Sequence, residues 1–178
     1  MGRQLFQDGP YIDTYVGDGT PLTSTSAEAL WLGTQYTPIY ANDAKAGKVY
    51  CVRAGGIMST GASGTLIIEP KFGAIGGVTL GASQTVTVPI NMSGVAWYLS
   101  FDMAIRTIVT SSSTAIGTGF FVSAPKVSAP TVGLSFVVPF GGTSATIDIT
   151  ANSGITISKT LNIAGSMTVQ FAYIFSRN

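Results

Sequence analysis

The chain of 178 residues carries nine Lys or Arg and eight Asp or Glu, which gives a formal net charge of +1. This balance provides no electrostatic basis for binding nucleic acid or an anionic membrane, so neither is expected as a partner. Charged residues make up 10% of the chain and hydrophobic residues 46%, so few charges protect its surface and we expect it to associate with other protein surfaces.

The first twenty residues differ from the rest, because they are rich in Gly, Pro, Asp and Tyr and show neither a helical nor a strand period. We interpret 1–20 as an extended N-terminal arm and 21–178 as one domain. The arm is either a free chain end or a segment that binds a neighbouring subunit. The apolar residues that would make such contacts are Leu5, Phe6, Tyr11, Ile12 and Tyr15.

Segments with strand patterns follow from residue 48 onward, after one short helix-like stretch at 24–33. In the clearest of them, 97–107, apolar and mostly polar residues alternate at every step, and 167–175 repeats the pattern. Repeated period-2 segments separated by Gly, Ser and Pro turns indicate an all-β sandwich or barrel. We therefore predict a jelly-roll-like β-sandwich of about nine to ten strands. The Cys…Trp…Cys pattern of an immunoglobulin domain is absent.

Metal and nucleophile sites have few possible ligands, because the chain has no histidine and a single cysteine, Cys51. The apolar run around Cys51 predicts a buried structural thiol. The segment 13–19, DTYVGDG, lacks the carboxylate spacing and the distal Glu of a calcium loop. We predict no cofactor and no metal site, and leave open a single structural calcium ion.

Carboxylates are the remaining candidates for catalysis. Glu69 and Asp102 both fall in predicted strands and could face each other as a glycosidase pair does. Each is better explained as an outward-facing partner for Arg53, Arg106 or Lys71. We therefore predict no catalytic residues and a protein that is not an enzyme.

Three segments, 36–73, 94–108 and 112–121, resemble a known family: jelly-roll virion structural proteins of tailed phages, many of them phages of actinobacteria. The resemblance covers roughly residues 20–175 and is carried by turn and strand motifs. The residues that match are Thr37, Pro38, Ala41, Asn42, Asp43, Gly47, Gly55, Gly56, Ser59, Trp97, Leu99, Phe101, Asp102, Arg106 and Thr107.

This resemblance implies a jelly roll that trimerises on the virion, as a capsid decoration (cement) protein or a minor tail component. The short chain favours decoration. The implied partners are two further copies in a homotrimer and the major capsid protein or tail proteins, and the implied location is the capsid surface after synthesis in the host cytoplasm. The alternative is a tail- or fibre-associated or carbohydrate-binding jelly-roll module, in which Trp31, Tyr36 and Tyr40 would stack on sugars.

Oligomer contacts are predicted for side chains that lie off the inferred core face or near a Pro or Gly turn. Three residues meet this criterion: Tyr98, Phe140 and Ile174. They complete the predicted binding residues, together with the five apolar residues of the arm.

Overall fold

The computed structural model describes residues 11–17, 19–30, 39–124, 135–142 and 144–177. These residues contain one short 3-10 turn, Thr110–Ser112, and twelve strands. The strands are β1 (Tyr11–Val16), β2 (Glu28–Ala29), β3 (Val49–Thr60), β4 (Gly64–Phe72), β5 (Val78–Thr79), β6 (Val86–Val88), β7 (Met92–Thr107), β8 (Ser113–Ser123), β9 (Phe136–Gly141), β10 (Ala145–Ile147), β11 (Ile155–Leu161) and β12 (Gly165–Arg177).

The strands form two antiparallel sheets with the nested pairing of a jelly roll. The seven-stranded sheet has the order β1-β12-β3-β7-β8-β10, with β9 also paired to β8, and the five-stranded sheet has the order β2-β11-β4-β5, with β6 also paired to β4. The first strand thus pairs with the last, the second with the next to last, β3 with β7, and β4 with β5 and β6. The predicted all-β, jelly-roll-like sandwich is confirmed.

More strands are found than the nine to ten predicted, because four of them are very short. β2 and β5 have two residues each, and β6 and β10 have three. A period of two cannot be recognised in so few residues, whereas it is plain in the sixteen residues of β7.

Strand β7 lies in the middle of the large sheet and supplies much of the core. Its apolar residues from Val95 to Ile105 are buried at every second position, as the alternation predicts. The indole Nε1 of Trp97 donates a hydrogen bond to the Ile57 carbonyl at 3.0 Å, and its ring packs against Phe121 at 5.5 Å between centroids. The inward face of β7 is therefore fixed by both packing and a partly buried hydrogen bond.

Glycines on β8 make room for aromatic rings in this core. A Cβ on Gly117 would lie 2.6 Å from the ring of Phe101, and one on Gly119 would lie 2.2 Å from the Ser100 carbonyl oxygen and 2.7 Å from the Phe140 ring. The rings of Phe101 and Phe140 pack 6.0 Å apart. A side chain at either glycine would displace a ring or the backbone of β7.

The prediction of an arm separate from the sandwich does not hold for its second half. Residues 11–16 form β1, the edge strand that pairs antiparallel with β12 of the same chain. The amides of Gly17 and Gly19 continue this pairing by donating to the carbonyls of Gln170 and Val169. Pairing satisfies backbone groups that β12 would otherwise expose at a sheet edge. The backbone positions of three predicted contact residues, Tyr11, Ile12 and Tyr15, thus belong to the sheet, and the other two, Leu5 and Phe6, lie outside the described residues.

An ion pair with a buried lysine anchors the segment between β1 and β3 to the small sheet. Lys159 on β11 is completely buried, and its Nζ lies 2.6 Å from Oε2 of Glu28 on the neighbouring β2. The same Nζ donates to the Ser24 carbonyl at 2.8 Å. Leu30, at the end of this segment, is buried in the core. The segment between β1 and β3 is therefore anchored to the small sheet by charge as well as by packing.

Candidate interaction surface on the large sheet

The outward face of the seven-stranded sheet carries a continuous line of apolar residues, here called the apolar row. Six strands in direct register contribute one residue each: Val16, Phe171, Gly55, Tyr98, Val122 and Val137. Adjacent strands lie about 4.8 Å apart, so the row is about 24 Å long. Val16 is 81% exposed, Val137 57% and Phe171 36%. Side chains this apolar are normally covered when they form a continuous surface.

A second row runs parallel to the apolar row, two residues along each strand. Its described side chains are Tyr173, Arg53, Ser100, Phe120 and Pro139. Phe120 is 41% exposed. The second row therefore extends the apolar surface at β8 and β9 and places one cation near the middle of the face.

The cation is paired within the face. Nη1 of Arg53 lies 2.7 Å from Oδ1 of Asp102 and also donates to the backbone carbonyls of Val52 and Phe101. The guanidinium lies over the ring of Phe175, 5.7 Å from its centroid. Burial lowers the pKa of Arg53, but the hydrogen bond and charge of Asp102 contribute to a net increase. The face thus contains one charge pair whose members neutralise each other. Arg177, at the end of β12, adds a positive charge 5.2 Å from the centroid of the Phe175 ring.

Aromatic rings lie on both sides of this ion pair. Phe171, Tyr173 and Phe175 stack along β12, with centroid distances of 6.5 and 5.9 Å. On the other side, Tyr98 and Phe120 approach to 6.3 Å. A Cβ at Gly55 would lie 2.4 Å from the Phe171 ring, so this glycine allows the ring to lie on bare backbone. Burial raises the pKa of the Tyr98 hydroxyl.

Cys51 lies beneath this surface and is completely buried, as the sequence predicts. Burial, together with a hydrogen bond and the negative charge of Asp102, raises the pKa of the Cys51 thiol to about 11. A thiol with this pKa is protonated at neutral pH and is a poor nucleophile. Cys51 is therefore a packing residue in the folded chain.

The two carboxylates considered for catalysis do not face each other. Asp102 lies on the outward face of the large sheet beside Arg53, whereas Glu69 lies on the outward face of the small sheet, 3.3 Å from Nζ of Lys71. The core separates them, so a paired-carboxylate site cannot form from these residues.

Within the described ranges, no three His, Cys, Asp or Glu side chains are grouped as metal ligands. The same ranges contain no helix long and apolar enough to cross a membrane.

Of the three predicted oligomer contacts, only Tyr98 lies on this surface, where it is half-buried in the apolar row. Phe140 is 4% exposed and Ile174 is 5% exposed, and both belong to the core. Neither can contact another subunit in the folded chain, which corrects those two predictions.

Of the proposed sugar-stacking residues, Trp31 and Tyr36 lie outside the described residues, and Tyr40 is exposed in a turn away from the apolar row.

A β-bulge explains why Phe171 was missed and Ile174 was misplaced. The alternation of 167–175 puts Met167 and Phe171 on one face, but the pairing of β12 with β3 shifts register between Val169 and Phe171. The extra residue, Gln170, reverses the faces of everything after it. Residues 171, 173 and 175 therefore point outward, and residues 172 and 174 point into the core.

The fold and the surface together define a β-sandwich with an exposed apolar sheet face. No family model matches the chain, and no curated protein matches it. Among solved structures, it has a likeness to the CBM2 module of the evolved Dit of Lactobacillus casei BL23 phage J-1, at 9% identity and a TM-score of 0.27. The match covers 78% of this chain and 66% of that one. Values this low do not show that the two folds are the same.

Proposed function

We propose that the protein is a structural component of a tailed-phage virion: a decoration protein that binds the assembled capsid shell as a homotrimer and stabilises it. The observation that carries the proposal is the exposed apolar row on the large sheet. The resemblance of segments 36–73, 94–108 and 112–121 to phage virion proteins supports a location on the capsid surface. The protein acts in this proposal by binding, without a reaction.

The physical character of the sandwich supports this role. Its backbone groups are paired along long antiparallel ladders, which resist local opening. Its surface carries few charges, so contact with another protein desolvates few ionised groups. A rigid β-sandwich of this kind can bridge neighbouring coat subunits and limit their movement.

The test uses shells purified from a phage that lacks the gene for this chain. We expect the added protein to cosediment with assembled shells up to a fixed number of copies, and to raise the temperature at which the shells release DNA. Free coat subunits should not bind it. Equal binding to free subunits, or saturating binding without any gain in heat resistance, would contradict the proposal.

A tail- or fibre-associated carbohydrate-binding module is the second candidate. The observation in its favour is that the exposed rings of Phe120 and Phe171 flank the Arg53–Asp102 pair. Aromatic faces can stack on sugar rings while a polar pair exchanges hydrogen bonds with hydroxyl groups. A glycan array separates the candidates: a specific glycan signal that is lost in the Phe120→Ala variant would favour the module over the decoration protein.

A further inference from the structure

We infer that the outward face of the seven-stranded sheet is the interface between copies of this chain, with the β1–β12 end of one copy packed against the β8–β9 end of the next. This inference rests on the proposed function, since it specifies the surface that builds the homotrimer. The apolar row then mediates self-association, and the shell binds a different surface of the trimer.

The size of the face fits an interface between proteins. Strands β7 and β8 stay in register for the eight residues from Trp97 to Ala104, a length of about 26 Å at 3.3 Å per residue. With a width of about 24 Å across six strands, the flat projection of the face is about 600 Å², and the accessible area of protruding side chains is larger. A standard interface uses about 800 Å² on each partner.

The charge of the face favours a second copy over a charged partner. Arg53 and Asp102 neutralise each other, and no other described side chain of the apolar row or the second row is charged. A strongly acidic or basic partner would find no complementary charge here. Along these two rows a copy of the same face would meet no like-charge repulsion and would cover its own apolar surface. Arg177 lies outside both rows, at the end of β12 over the Phe175 ring.

The side-chain types point to a protein partner instead of a glycan. Val16, Val122 and Val137, at the two ends of the apolar row, are aliphatic and offer a sugar no ring of their own to stack on. Aliphatic ends around a centre of Tyr, Phe and a paired Arg give the composition of a protein interface core.

The geometry of a closed trimer requires two different patches on each copy. A patch can face itself only across a twofold axis, so a ring of three joins one patch to a different patch on the next copy. The apolar row has two such patches, Val16 with Phe171 and Val122 with Val137. Gly55 and Tyr98 separate them along the row.

Cysteine cross-linking tests this pairing directly. We expect the Val16→Cys and Val137→Cys variants, mixed under a mild oxidant, to form a covalent dimer that neither forms alone. The double variant should form a covalent trimer. Val78→Cys mixed with Ile90→Cys is the control pair, since both side chains are exposed outside the face. Native Cys51 is buried and should not react. Dimers from either single variant alone, or no cross-link in the mixture, would overturn the inference.

Mass measurement separates this inference from the proposed function. Light scattering after size exclusion should give three times the chain mass of 18.4 kDa. Val137→Asp should give the monomer mass with an unchanged β signal in circular dichroism, whereas Ile90→Asp should remain trimeric. A Val137→Asp trimer, or a wild-type monomer, would refute the interface. The shell-binding assay tests the decoration role separately, so a wild-type monomer that covers shells would assign the face to the coat protein.

Discussion

Replacing Glu28 by Gln removes the negative partner of a lysine that is completely buried. Nζ of Lys159 lies 2.6 Å from Glu28 Oε2, and the Glu28 side chain is 26% exposed. Breaking a buried pair at one member costs about 3–5 kcal/mol because the other charge is left uncompensated. Since water reaches Glu28, we expect the lower end of that range, about 3 kcal/mol, for Glu28→Gln. For a chain of this size, such a loss lowers the melting temperature by roughly 6–12 °C.

Replacing the other member of the pair, Lys159, should reduce the free energy of unfolding by less than Glu28→Gln does. This difference between the two variants is the sharper test. Lys159→Met removes the buried charge itself, and the remaining carboxylate can be hydrated, so about 1 kcal/mol is expected from the hydrogen bond lost at the Ser24 carbonyl. Glu69→Gln is the matched control, because the Glu69–Lys71 pair lies on the outward face of the same sheet and should be worth less than about 1 kcal/mol. Urea unfolding followed by tryptophan fluorescence measures all three. If Lys159→Met proves more destabilising than Glu28→Gln, the reasoning about the buried charge is wrong.

Two further predictions concern the large sheet. Gly119→Ala should lower the free energy of unfolding by at least about 2 kcal/mol, because its Cβ would lie 2.2 Å from the Ser100 carbonyl oxygen. Gly61→Ala, whose nearest atom would be 3.8 Å away, should change it by less than about 0.5 kcal/mol when both variants are measured by urea unfolding. The raised pKa of Cys51 means that the folded chain holds the thiol proton more tightly than the unfolded chain, so stability should fall as pH rises from 9 to about 11. Urea titrations at the two ends of this range should show a smaller fall for Cys51→Ala, and an identical fall would contradict the assignment.

The sequence predicts the long strands and the sandwich because a period of two persists over many residues, but it cannot locate the apolar row. The bulge at Gln170 adds one residue and moves Phe171 from the expected core face to the surface, while Ile174 moves inward. No composition signal marks such a bulge, because it is defined only by pairing with β3. The Lys159–Glu28 pair is equally hidden, since its members lie far apart in the chain and meet only through the pairing of β2 with β11.

The position of the extra strands links the fold to the proposed interface. The nested jelly-roll pairing accounts for only four strands of the large sheet, β1, β12, β3 and β7. Strands β8, β9 and β10 lie between β7 and β11 in the chain and add three strands to the same sheet. None of them is a strand of the small sheet, but they carry Phe120, Val122 and Val137 on the outward face of the large one. Without them, the apolar row would end at Tyr98 and would offer only one of the two patches that a ring of three requires. These three strands thus widen the sheet on the side that carries the second patch. They also expose apolar side chains that would be in contact with water in a monomer.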